Sequence, residues 1–161
     1  MSEEIEIRIG TPEDLDSVME IAVDMWDELG IVPASVQKIL GEVWEALNQQ
    51  NGLIGIIGKP DGRIEGGVLL RIGSMWYSDE RVLEERGIFI HRDFRSSKGG
   101  RARRLCEFSK DTADALGIPL VIGVLSNDRT EAKARLYERQ FGKPSGAFFL
   151  YGGTTGSVKG H

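Results

Sequence analysis

The sequence predicts a single α+β domain with a mostly antiparallel sheet, in the order β-α-α-β-β-β-α-β-α-β. Three observations carry this. Period-2 alternation and 3.6-residue periodicity take turns along the chain, and neither dominates. Three strand-like runs, GLIGIIG (52–58), IEGGVLLRI (64–72) and LEERGIFIH (83–91), follow one another with no helix between them, which favours antiparallel neighbours. The length, 161 residues, suits one domain, and no repeat or linker divides it.

The elements follow in order. Ile5, Ile7 and Ile9 alternate with Glu6 and Arg8 as a first strand. Thr11 is a natural N-cap, with Pro12 at the first helical position and Glu13 and Asp14 at the positive end of the helix dipole. Leu15, Val18, Ile21, Ala22, Met25 and Trp26 then recur at helical spacing up to Gly30. Ser35 caps a second helix over 36–51. Pro60-Asp61-Gly62 turns the strand 52–58 back into 64–72, and a third strand covers 83–91. A helix over 102–116 stops at Gly117 and Pro119, where the strand PLVIGVL (119–125) begins. SNDRT (126–130) caps the helix EAKARLYERQ, and AFFLYGG (147–153) reads as a last strand. The domain is expected over 1–153, with a flexible tail over 154–161.

Composition narrows the function classes. The net charge of −5 argues against bulk nucleic-acid binding and favours cationic or amine partners. One cysteine forms no internal disulfide, and Cys106 reads as a small buried residue. Two histidines and one cysteine make a zinc site improbable. The acidic, alternating N-terminus is not a signal peptide, and no apolar run reaches the ~18 residues of a membrane helix, so a cytoplasmic protein is expected.

The sharpest local feature is RSSKGGRARR (95–104), five positive charges around Gly99-Gly100 between a strand and a helix. Glycines let a ligand approach closely, and the first N–H groups of a helix favour an anion. The alternative is a tight turn with a solvated basic helix end. A P-loop and a dinucleotide fingerprint both fail to match.

The segment FIHRDFRSSKGGRARRLCEF resembles the acyl-CoA-binding segment of the GCN5-related N-acetyltransferases, a strand, [RQ]-x-x-G-x-[GA] and a helix. Gly100 and Ala102 match. The leading Arg/Gln falls on Ser97, and residues 95–99 look stretched by about two residues. IRIGTPEDLDSVMEIA is similar to the family's first strand and helix, and VLSNDRTEAKARLYERQFG to its later strand and helix. The resemblance implies a twisted mixed sheet that splits in a V between the fourth and fifth strands, where acetyl-CoA is the acyl donor. It departs at the end, where the family usually has a hairpin and this chain offers one strand.

The implied chemistry is direct attack of an amine on the thioester. Backbone groups of Ile88, Phe89 and Ile90 would hold the pantetheine arm. Ser97, Lys98, Gly99, Gly100, Arg101 and Ala102 would hold the pyrophosphate. Asn127 resembles a cofactor-contacting asparagine and reads equally well as a helix N-cap. Glu84 and Glu85 are the general-base candidates, with Glu84 slightly ahead, against the plainer reading of solvated strand-edge charges. Tyr137 resembles the family's acidic tyrosine, and also reads as a core aromatic on a face with Ala134 and Phe141. A backbone N–H near Phe89 or Ile90 would stabilise the oxyanion. The acceptor would be a small-molecule or protein amine. Trp76 and Tyr77 would wall its pocket or pack a homodimer interface. The competing functions are a non-catalytic acyl-CoA-binding regulatory domain and a nucleic-acid module on residues 95–104.

Overall fold

The computed structural model describes residues 5–29, 32–58, 63–95, 100–123, 130–147, 149 and 151–152. Ser97, Lys98, Gly99 and Asn127 therefore lie outside the described residues, as does the tail 154–161. Among the described residues, five strands, β1 (Arg8–Ile9), β2 (Gly52–Ile57), β3 (Gly66–Ser74), β4 (Arg81–Ile90) and β5 (Leu120–Ile122), form one sheet in chain order. The first four are antiparallel and β5 joins β4 in parallel. The described helices are α1 (Leu15–Leu29), α2 (Val36–Leu47), α3 (Arg101–Leu116) and α4 (Thr130–Phe141). The sheet is mixed and mostly antiparallel, as expected.

The helix ends follow local chemistry. The Thr11 N–H donates to Asp14 Oδ2 at 2.9 Å, and a 3-10 turn over Pro12–Asp14 leads into α1. Ser35 Oγ accepts from the Lys38 N–H at 3.2 Å. Gly117 ends α3 at φ 68°, where its N–H reaches the Asp114 carbonyl.

Two apolar layers sandwich the sheet. One joins α1 and α2 through Val18, Ile21, Val43 and Leu47 to Ile54, Ile56, Leu69 and Phe89. The other gathers Leu105, Phe108 and Ala113 of α3 with Ile57, Val68, Leu70 and Leu83. The β2 alternation fits both layers, with Ile54 and Ile56 on one face and Leu53 and Ile57 on the other.

Two expectations are corrected. The first strand is only two residues long, and Ile5 and Ile7 pack on the α3 layer ahead of it. In 147–153, the described residues Ala147, Phe149, Tyr151 and Gly152 belong to no strand. Phe149 and Tyr151 point to solvent, Phe149 at 95% exposure, so nothing among the described residues rewards pairing there.

Candidate active site

The site is built where β4 outruns β5. Their parallel register ends at Glu85↔Ile122, yet β4 continues to Ile90. Over 86–90 the outer edge of β4 has no strand beside it among the described residues. On the inner side the register jumps from Leu70↔Glu85 to Leu69↔Gly87, making Arg86 the extra residue of a β-bulge. His91 N–H donates to Glu65 O at 2.8 Å. Antiparallel alternation therefore turns the backbone of Gly87 and Phe89 toward β3 and that of Ile88 and Ile90 toward the open edge. Of the three residues expected to offer backbone groups to a ligand, Phe89 thus belongs to the β3 ladder and the core. The Ile90 carbonyl accepts Arg95 Nε at 3.0 Å, which leaves Ile88 as the residue facing the edge most openly.

The bulge also sorts the two carboxylates. Glu85 shares a face with Leu83 and points into the α3 and α4 side, where it is 8% exposed. Tyr137 of α4 donates its hydroxyl to Glu85 Oε1 at 2.9 Å, while Glu85 Oε2 is buried with no hydrogen-bond partner among the described residues. Burial raises the Glu85 carboxyl to about 7, with the Tyr137 hydrogen bond and the Lys133 charge pulling the other way. Burial, then the neighbouring Glu85 charge, pushes the Tyr137 phenol above its ordinary value. Cys106 of α3 lies beside them, buried, its thiol pushed up to about 12 by burial first. Phe141 stacks on Tyr137 with centroids 6.0 Å apart.

Glu84 points to the opposite face. It pairs with Arg86 at 3.0 Å and lies over Gly73, where a Cβ would come within 2.9 Å of its Oε1. The family resemblance puts Glu84 slightly ahead, whereas the structure brings Glu85, and not Glu84, to Tyr137. The signal was present in Leu83-Glu84-Glu85, because alternation from a core leucine sends Glu85 inward. The acidic residues Asp79, Glu80, Glu84 and Glu85 form no single cluster: the first two sit at the exposed β3–β4 turn, the others on opposite faces.

At the far end of β4, Gly100 takes a left-handed conformation, φ 70° and ψ 24°, directly before α3. It contributes no capping side chain, and the first helical bond runs from the Arg104 N–H to the Gly100 carbonyl. The N–H groups of Arg101, Ala102 and Arg103 lie in the turn ahead of that bond. Much of the basic stretch is tied to protein groups. Arg101 Nε pairs with Glu65 at 2.7 Å, and its guanidinium lies over the Phe94 ring at 4.5 Å. Arg104 Nε donates to the Ile5 carbonyl at 3.2 Å. The Arg103 guanidinium folds back over Gly100. Phe108 packs inward against Gly55, and Phe94 is covered by arginines. That leaves the nucleic-acid reading without its interleaved exposed aromatics among the described residues.

Known structures decide what this geometry is similar to. AAC(6')-Iy bound to the bisubstrate analog CoA-S-monomethyl-acetylneamine superposes with a TM-score of 0.70 at 16% identity, covering 92% of this chain and 97% of that one. The fold is that of the GCN5-related N-acetyltransferases. The ribosomal-protein-alanine N-acetyltransferase of Brucella melitensis biovar Abortus 2308 gives 0.66 at 16% identity, covering 92% and 98%. A Trypanosoma brucei acetyltransferase gives 0.66 at 16%, covering 92% and 99%. No family model and no curated protein matches the sequence. The described pairing of β4 with β5 ends at Glu85↔Ile122, between the two strands where the resemblance implies a V. Among the described residues, no helix is long and apolar enough to cross a membrane, and no cluster of His, Cys, Asp or Glu could hold a metal ion.

Proposed function

We propose that this chain is an N-acetyltransferase that moves an acetyl group from acetyl-CoA to a primary amine by direct attack. The observation that carries the reading is the buried Tyr137–Glu85 hydrogen bond, 2.9 Å long, at the point where β4 and β5 part. A phenol there, hydrogen-bonded to a carboxyl, is a group that can pass a proton to a departing thiolate.

The rest of the chain fits a CoA thioester. Ile88 offers a backbone donor and acceptor to an extended arm, and its N–H is a candidate oxyanion donor. The turn from Gly100 to Arg103 offers N–H groups and the Arg103 charge to phosphates. Acetyl-CoA supplies the activated acyl group, while the protein holds it, excludes water and moves protons. The CoA conjugate bound by AAC(6')-Iy supports this choice of donor. An amine acceptor is supported by the same neighbours, whose names specify aminoglycoside and ribosomal-protein alanine acceptors. Trp76 and Tyr77, packed edge to face at 5.5 Å on the exposed β3–β4 turn, are candidate contacts for a cationic acceptor.

Calorimetric titration of acetyl-CoA and of CoA into the wild type and Gly100→Glu tests the donor site, with circular dichroism as the folding control. Micromolar binding by the wild type and its loss in the folded variant are expected. Absence of binding by the wild type overturns the reading. Binding without turnover of any polyamine, aminoglycoside or lysine peptide would leave an acyl-CoA-binding regulatory domain.

A further inference from the structure

The two carboxylates of β4 are not equivalent candidates for one role. Glu85 Oε1 is engaged by the Tyr137 hydroxyl, and Oε2 is buried with no partner among the described residues. A base that takes a proton from an acceptor must reach it directly or through one water. A carboxylate oxygen shut inside the α3 and α4 layer does neither.

Resting on the acetyl-transfer reading, we propose that Glu85 is a positioning residue for Tyr137: it orients the phenol and returns the proton that Tyr137 gives to the departing sulfur. The groups packed around Glu85 agree with a neutral acid. Tyr137 and Lys133 face it from α4 and Cys106 from α3, with Glu107 and Lys110 adjoining that cysteine, while Glu84 and Arg86 pair on the other side of the strand. Among the described residues, Lys133 is the positive charge acting on Glu85, and burial outweighs it. An unpartnered Oε2 is far less costly on a neutral carboxyl than on an anion.

The steps balance. The amine, having lost its extra proton to solvent, forms the N–C bond, and its nitrogen gives a second proton to solvent as the amide forms. The C–S bond breaks and its electron pair stays on sulfur. Sulfur takes the phenolic proton of Tyr137 as Glu85, now donating along the same 2.9 Å contact, passes its carboxyl proton to the phenolic oxygen, and once CoA has left the pair regains a proton from solvent through the Tyr137 hydroxyl. The net products are the amide and CoA thiol.

The test is steady-state kinetics from pH 5.5 to 9 with acetyl-CoA and whichever polyamine, aminoglycoside or lysine peptide the wild type acetylates. The proteins are the wild type, Glu85→Gln, Tyr137→Phe and the double variant. We expect a kcat limb near pH 7 that falls as pH rises and is missing in Glu85→Gln. We expect Glu85→Gln to lower kcat about 100-fold with the KM for acetyl-CoA unchanged, and the double variant to be no slower than Tyr137→Phe alone. A rising limb near pH 7 that vanishes in Glu85→Gln, or multiplicative losses in the double variant, would overturn the proposal and make Glu85 an independent base. Should Glu85→Gln fail to fold, the direction of the wild-type limb decides by itself. Wild type that binds CoA but transfers no acetyl group sinks the acetyl-transfer reading, and this proposal with it. Turnover with the wrong limb sinks this proposal alone.

Discussion

Glu85 couples the site to stability. Its carboxyl lies at about 7 in the folded chain against an ordinary 4.5. The folded state therefore holds that proton more tightly than the unfolded state. The associated stability is complete below pH 4.5 and is lost as pH rises toward 7, a change on the order of 3 kcal/mol. Glu85→Gln cannot ionise, so denaturant unfolding should show the variant gaining on the wild type between pH 5 and pH 8. A difference that ignores pH would contradict a buried, neutral Glu85. Asp14 behaves in the opposite sense. The Arg8 guanidinium, bound to both its oxygens at 2.8 Å, holds its carboxyl below the usual range. That stability is present above the ordinary value and is lost as pH falls through the lowered one. Asp14→Asn should cost about 3 kcal/mol at pH 7, and the cost should shrink toward zero as the wild-type carboxylate is protonated in acid.

Sheet and helix meet most tightly at Gly55 in β2. A Cβ there would come within 2.5 Å of the Phe108 ring of α3. Gly55→Ala should destabilise by about 1–3 kcal/mol in urea unfolding, and a smaller residue at 108 should recover part of that loss in a double-mutant cycle. The elements themselves were largely legible. Ser35 caps α2 and Gly117 ends α3 as their residue types require. AFFLYGG carries the apolar content of a strand, but its described residues find no partner, because strand formation needs a neighbour as well as a propensity. The bulge at Arg86 is set by the pairing of β3 with β4, so alternation read along β4 alone cannot carry through it.

At the scale of the whole molecule, Cys106 reports on global opening. It is buried between α3 and the sheet, and its thiol is pushed up to about 12. A thiol reagent should leave it untouched in the native protein and label it at the rate of global unfolding. Labelling at the rate of a free thiol would mean that the α3 layer opens locally. The sequence by itself determined the α+β class, most element positions and the glycine turn before α3, because periodicity and turn chemistry are local, while Tyr137 and Glu85 entered as candidates only through the family resemblance. Only the tertiary structure decided which carboxylate meets Tyr137, which arginines of 95–104 are tied to the protein, and where the edge of β4 is open. Those depend on strand register, on the bulge and on the parallel strand that stops at Ile122, which are contacts between residues far apart in the chain.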